Sequence, residues 1–158
     1  IIVHGLAKAY SMTGWRIGFL AAPKPIAQAI NAFQSHSTSN ATSFAQKGAV
    51  AALKGPQTHL DDWLTEFNKR RTYAAERSNN MPGVSCVNSR GAFYLFPNIE
   101  ATGLKSAEFC DRLLAHSKVA AVPGIAFGAD NNFRISYATS MDNIQKGMTR
   151  LEEFCKNL

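Results

Sequence analysis

Cysteine is scarce. Cys86, Cys110 and Cys155 are the only three in 158 residues, odd in number and far apart. That spacing excludes a disulfide framework and any Cys/His zinc pattern, and it favours a reducing compartment. Long apolar runs are missing too: none approaches the roughly 18 to 20 residues of a membrane span. Charge is thin, at 18% of residues against the ~25% of an ordinary soluble domain. Part of this surface is therefore expected to face other protein. Acidic residues are the scarcer sign, 11 against 17 basic, for a net charge of +6 and a pI near 9.4. The basic residues are scattered, however. Their one tight cluster, Lys69-Arg70-Arg71, falls on a predicted helix with no nucleic-acid-binding signature. The four histidines are equally dispersed. Neither a nucleic-acid partner, a membrane nor a metal site is expected.

What is present is a globular pattern, with 46% hydrophobic residues. Ile1-Ile2-Val3-His4 has the look of a buried strand in a parallel sheet, with no signal-peptide shape, so the chain reads as a piece of something longer. A small-residue stretch, Gly5 to Gly14, leads to a second predicted strand over 16–22. Pro25 opens a helix with Ile26, Ala29, Ile30 and Phe33 on one face, expected to stop at the polar segment Ser35 to Asn40. Ser43-Phe44-Ala45-Gln46 has the pattern of a capping box for an Ala- and Gly-rich helix. Gly55-Pro56 suits a left-handed helix end followed by a new start. A long helix over about 57–78 carries Leu60, Trp63, Leu64, Phe67 and Ala74 at helical spacing. Beyond residue 80 the pattern is α+β. Strands are expected at 84–87, 92–96, 119–122 and 132–138, with helices around Phe109 to Leu114 and from Ser140, the N-cap candidate, to Cys155. The fold class is α/β, partitioned as 1–55, a connecting helix 56–80, and a compact 81–158.

Lys8 carries the chemical interest. It follows a predicted strand, and its neighbours Gly5, Leu6, Ala7 and Ala9 carry no carboxylate. A partly desolvated amine of this kind is suited to form a Schiff base with an aldehyde. Arg16, after the Gly14-Trp15 turn, would lie near it at the carboxyl edge of parallel strands, where a guanidinium can hold a phosphate bidentately. Along 132–138, alternation places Phe133, Ile135 and Tyr137 on one face and Arg134, Ser136 and Ala138 on the other. An arginine on that small-residue face needs an anionic partner, either an acid of the chain or a bound ligand.

The segment Gly5-Leu6-Ala7-Lys8-Ala9-Tyr10-Ser11-Met12-Thr13-Gly14-Trp15-Arg16-Ile17-Gly18 resembles the pyridoxal-phosphate attachment motif of class I aminotransferases, of fold type I. The loop Ser35 to Ser43, Gly91-Ala92-Phe93-Tyr94, Val122-Pro123-Gly124 and Phe133 to Thr139 resemble the bacterial and plastid aspartate aminotransferase branch. The resemblance covers essentially the whole chain, but only the C-terminal portion of the family's longer proteins. It implies the end of a large cofactor-binding domain, a connecting helix, and a small α+β domain that closes over substrate. It further implies that Lys8 carries pyridoxal 5'-phosphate and moves the proton at the substrate α-carbon, and that Arg16 binds the cofactor phosphate. Ser39 and Asn40 would reach toward the phosphate of a partner subunit in a homodimer. Arg134 would clamp the substrate α-carboxylate, and Phe93 would line the pocket.

The implied reaction is amino transfer between an amino acid, aspartate or glutamate, and a 2-oxo acid, active in the full-length cytoplasmic protein, with a plastid or other organelle left open. Three departures count against a complete match. Gly5 stands where many relatives place a phosphate-binding serine, and no arginine occurs in the Ser35–Ser43 loop. The family's cofactor-ring residues precede the lysine and lie outside these residues. A lyase or decarboxylase of the same fold, or a non-catalytic aminotransferase-like binding fragment, stays open on the sequence.

Overall fold

The computed structural model describes residues 1–158, and the chain forms two compact units, Ile1–Asp62 and Trp63–Leu158. The first contains β1 (Ile2–Gly5), β2 (Gly18–Ala21), α1 (Lys24–Ser37) and α2 (Ser43–Lys54), and ends within α3 (Thr58–Asn79). β1 and β2 pair antiparallel, Ile2 opposite Ala21 and Gly5 opposite Gly18. This corrects the expected parallel arrangement. The connection over 6–17 holds only a short 3-10 turn, Thr13–Trp15, and without a crossover helix the chain can only reverse direction. Within these 158 residues the hairpin forms a two-stranded sheet, with Ile2 64% and Val3 78% exposed. β2 starts at Gly18 and not at Arg16, since Arg16 is left-handed (φ 50°, ψ 46°) and cannot extend a strand.

α1 runs through Ser35-His36-Ser37, which the polar composition had suggested as loop. The Ser35 hydroxyl folds back to donate to the Ala32 carbonyl at 2.8 Å, and the Thr38 N–H donates to the Gln34 carbonyl at 2.9 Å. Satisfying those groups internally keeps the helix intact. At α2 the capping box is not formed: Thr42 flanks the helix with no side-chain cap. Gln46 reaches back past it, donating to the Ala41 carbonyl at 2.6 Å and to Asn40 Oδ1 at 3.2 Å. Gly55 is extended (φ −74°), not left-handed; a Cβ there would stand 2.7 Å from the Ala51 carbonyl oxygen. Close approach, not a positive φ, explains that glycine.

The second unit holds the rest of α3, then β3 (Tyr94–Leu95), α4 (Ser106–Ser117), β4 (Val122–Pro123), β5 (Phe133–Ser136) and α5 (Met141–Lys156). Its sheet has the order β3-β5-β4, antiparallel throughout. The expected strand at 84–87 reduces to a single bridge, Ser85 with Asn98. There the Asn79 side chain replaces a neighbouring strand, accepting from the Cys86 N–H at 2.8 Å and donating to its carbonyl at 2.9 Å. The core is aromatic: Phe109 stacks on Phe133 and meets Phe154 edge-on, with centroids 4.9 and 5.3 Å apart. Each buried phenylalanine contributes about 1.5–3 kcal/mol. α5 seals this core through Ile144, Met148, Leu151 and Cys155, with Ser140 capping it by accepting from the Asn143 N–H at 3.3 Å. No helix of the chain is long and apolar enough to cross a membrane.

Two contacts in this unit lead to predictions. A Cβ on Gly124 would fall 2.2 Å from the carbonyl oxygens of both Ala129 and Asn132. Backbone cannot yield as a side chain does, so Gly124→Ala is expected to lower stability by about 3 kcal/mol. A shift of the denaturant midpoint checks it, and an unchanged midpoint contradicts it. Arg77 on α3 pairs with Glu152 on α5 at 2.6 Å. Hydrogen bonds from Lys156 and then Arg77 hold the Glu152 carboxyl below its ordinary value of 4.5. A depressed folded-state value stabilises above the unfolded one and is lost as pH falls through it. Glu152→Gln should therefore unfold earlier than wild type at neutral pH, with the gap closing below about pH 4. Thermal unfolding across that range reads the effect, and a gap independent of pH contradicts it.

Candidate functional site

The first unit builds the lysine loop from two buried anchors. Leu6 and Met12 pack with Ala49 of α2, and Tyr10, Ile17 and Ala52 flank them. Gly48 lets the Trp15 ring lie close over α2: a Cβ there would stand 2.5 Å from the ring, which would have to shift. Turns are closed by hydrogen bonds from Tyr10 N–H to the Leu6 carbonyl, from Ser11 N–H to that of Lys8, and from Trp15 N–H to that of Met12. The Tyr10 hydroxyl is tied to Gln57 Oε1 at 2.9 Å. Lys8 and Arg16 lie on one loop, both exposed. They share the end of an antiparallel hairpin, not an edge of parallel strands.

Arg16 sits in a left-handed conformation that a non-glycine residue adopts at a cost of about 1–2 kcal/mol. Such strain tends to persist where the surrounding structure fixes it, often at functional sites. Its Nη1 donates to the Thr13 carbonyl at 3.0 Å, and a guanidinium has further N–H groups to offer an anion. Ser39 shares the left-handed conformation (φ 66°), beside Asn40, whose Oδ1 accepts from Gln46. Both are exposed. An amine and a guanidinium are the groups that react with an aldehyde and bind a phosphate, and one anchored loop carries both. Among thiols, burial pushes Cys110 and Cys155 up to about 11, so neither is a nucleophile near neutrality.

The second unit holds Arg134. β5 alternation is as the sequence suggests, with Phe133 and Tyr137 buried on one side. No ion pair involves Arg134. Instead its guanidinium lies over two rings, 4.4 Å from the centroid of Tyr94 and 4.7 Å from that of Phe127. No acid of these 158 residues lies within ion-pair distance of Arg134. Tyr94 is reached across the ladder from β5, opposite Ser136. Phe127 comes from the turn Gly124–Phe127, held where the Gly124 N–H donates to the Asn132 carbonyl at 2.8 Å. The buried Ser106 hydroxyl fixes that turn as well: it accepts from the Ile125 N–H at 3.1 Å and donates to Asp130 Oδ1 at 2.7 Å. Phe93 is half-buried against the core, its ring 4.4 Å from Tyr94. No sequence pattern marks the pairing of Tyr94 and Phe127 with Arg134. Tyr94 and the Val122-Pro123-Gly124 turn are both in segments the resemblance marks, but only the fold brings them to one guanidinium.

The profile described as aminotransferase class I and II matches residues 1–151. The chain belongs to the class I and II aminotransferase family. It is 45% identical over 98% of its length to the aspartate aminotransferase of Geobacillus stearothermophilus, covering 40% of that relative. It is 42% identical over 98% of its length to the aspartate/prephenate aminotransferase of Cereibacter sphaeroides, covering 41% of it. Among solved structures, the aspartate aminotransferase of Rhizobium meliloti matches with a TM-score of 0.94 at 37% identity, over 98% of this chain and 41% of that one. The chain thus spans about two fifths of the length of these aminotransferases. Its α/β fold is that of a part of the aminotransferase fold, consistent with the C-terminal part.

Proposed function

We propose that the full-length protein is a pyridoxal-phosphate-dependent aminotransferase that moves the amino group between an amino acid, aspartate or glutamate, and a 2-oxo acid. The observation that carries this is the anchored loop presenting Lys8 and Arg16 within a family member. Lys8 holds the cofactor, Arg16 its phosphate, and Ser39 and Asn40 reach toward the phosphate of the second subunit in a homodimer. When bound, the cofactor supplies an electron sink for the negative charge that develops at the substrate α-carbon. The protein's own part is to bind, orient and move a proton. Arg134 takes the α-carboxylate as a fork of N–H donors, and Phe93 closes one side of the substrate pocket. The Lys8 amine accepts and returns the proton at the α-carbon. Residues 1–55 serve as the end of the cofactor domain, 56–80 as the connecting helix and 81–158 as the small domain.

The test is full-length protein with L-aspartate and 2-oxoglutarate, following oxaloacetate and glutamate together. Equimolar appearance of the two products is expected. Carbon dioxide or ammonia release without glutamate would assign a decarboxylase or lyase instead.

A further inference from the structure

Arg134 has a side chain with several rotatable bonds, and no carboxylate of the chain orients it. Fixing such a chain on ligand binding costs about 1–2 kcal/mol in lost rotamer freedom. The structure supplies that order by other means. Tyr94 and Phe127 stand 4.4 and 4.7 Å from its guanidinium carbon, both close enough for attraction between a cation and a ring face. A stack on ring faces leaves the N–H edge of the guanidinium open, whereas an ion pair would occupy it.

Each ring is itself held from behind. Phe127 ends a turn whose Ile125 N–H is bonded to buried Ser106, and its ring meets Phe96 edge-on at 5.9 Å. Tyr94 lies two residues after Ala92, a non-glycine residue at φ 58°. The carbonyl of Ala92 accepts from the buried Tyr137 hydroxyl at 2.9 Å, and the Tyr137 N–H donates to the Phe93 carbonyl at 2.9 Å. Tyr137 therefore pins the strained residue from which Phe93 and Tyr94 project.

We propose that Phe127 and Tyr94 are positioning residues that stack Arg134 with its N–H edge preset for a substrate carboxylate, and that Tyr137 holds Tyr94 in place. This rests on the reading of Arg134 as the carboxylate clamp. Phe127 lies outside the buried core cluster of its own unit.

The experiment is steady-state kinetics on the full-length holoenzyme with L-aspartate. Phe127→Leu is expected to raise KM roughly 5- to 10-fold with kcat within about twofold, the value of one ordered arginine. Phe127→Tyr, which keeps the ring, should restore wild-type KM. In an Arg134→Ala background, Phe127→Leu should add no further rise, because the group it orders is gone. An unchanged KM in Phe127→Leu overturns the stack while leaving the clamp standing, as does an additive rise in the Arg134→Ala background or a failure of Phe127→Tyr to restore KM. An Arg134→Ala variant with normal KM and kcat overturns the clamp itself, and the stack with it.

Discussion

Lys8→Ala in the full-length protein is expected to lower kcat by roughly 10⁴-fold, the upper end for loss of a positioned acid–base group. The lysine is held by its loop and not by its own strand. Leu6 and Met12 are buried against Ala49, and Trp15 lies over Gly48, so the stretch between them has little freedom to drift. That anchors the backbone at residue 8, from which, on the proposed function, the amine would serve the substrate α-carbon. Lys8→Arg is the informative companion. It preserves positive charge and length, yet a guanidinium does not give up its proton in a protein. The expected loss is as large as for alanine. A Lys8→Arg protein that keeps more than about a tenth of wild-type kcat would mean that charge, and not proton transfer, is what residue 8 supplies.

The second large effect falls on Arg134. Truncating one partner of a hydrogen-bonded charge pair typically costs 2–5 kcal/mol. Arg134→Ala should accordingly reduce kcat/KM for an amino-acid substrate by roughly 10² to 10³-fold. Arg134→Lys should recover little of it. An ammonium cannot grip a carboxylate with two parallel N–H groups, nor stack flat between Tyr94 and Phe127. The control is an amine substrate lacking the α-carboxylate, whose slow turnover should be the same in wild type and Arg134→Ala. A parallel loss on that amine would place Arg134 in the scaffold, not on the substrate.

Much of the second unit was legible because its signals are local. The spacing of Ile144, Met148, Leu151 and Cys155 behind Ser140 states both the face and the start of α5. Strict alternation around Arg134 gives the two sides of β5. The first unit was harder to read. Ile1 to His4 has the composition of a strand buried on both faces, yet direction and burial depend on what the connection over 6–17 permits and on which layers surround the hairpin. Ser35 to Ser37 are poor helix residues by composition, and the hydroxyl of Ser35 rescues them through a backbone carbonyl that no sequence pattern announces. Lys8, Arg16 and Arg134 are charged residues in unusual settings, so they stand out in the sequence. Phe127 does not, since an exposed aromatic at a turn has no signature until the turn is seen to fold it over a guanidinium. The charged candidates were visible in the sequence, and the aromatic residues packed against Arg134 required the fold.

The most direct test of the central claim is to incubate the full-length protein with pyridoxal phosphate, reduce it with borohydride, and locate the adduct by peptide mass analysis. A single phosphopyridoxyl group on the peptide containing Lys8, absent when residue 8 is alanine, is the predicted result. An unlabelled Lys8, or label spread across the surface lysines with no preference for it, would contradict the account.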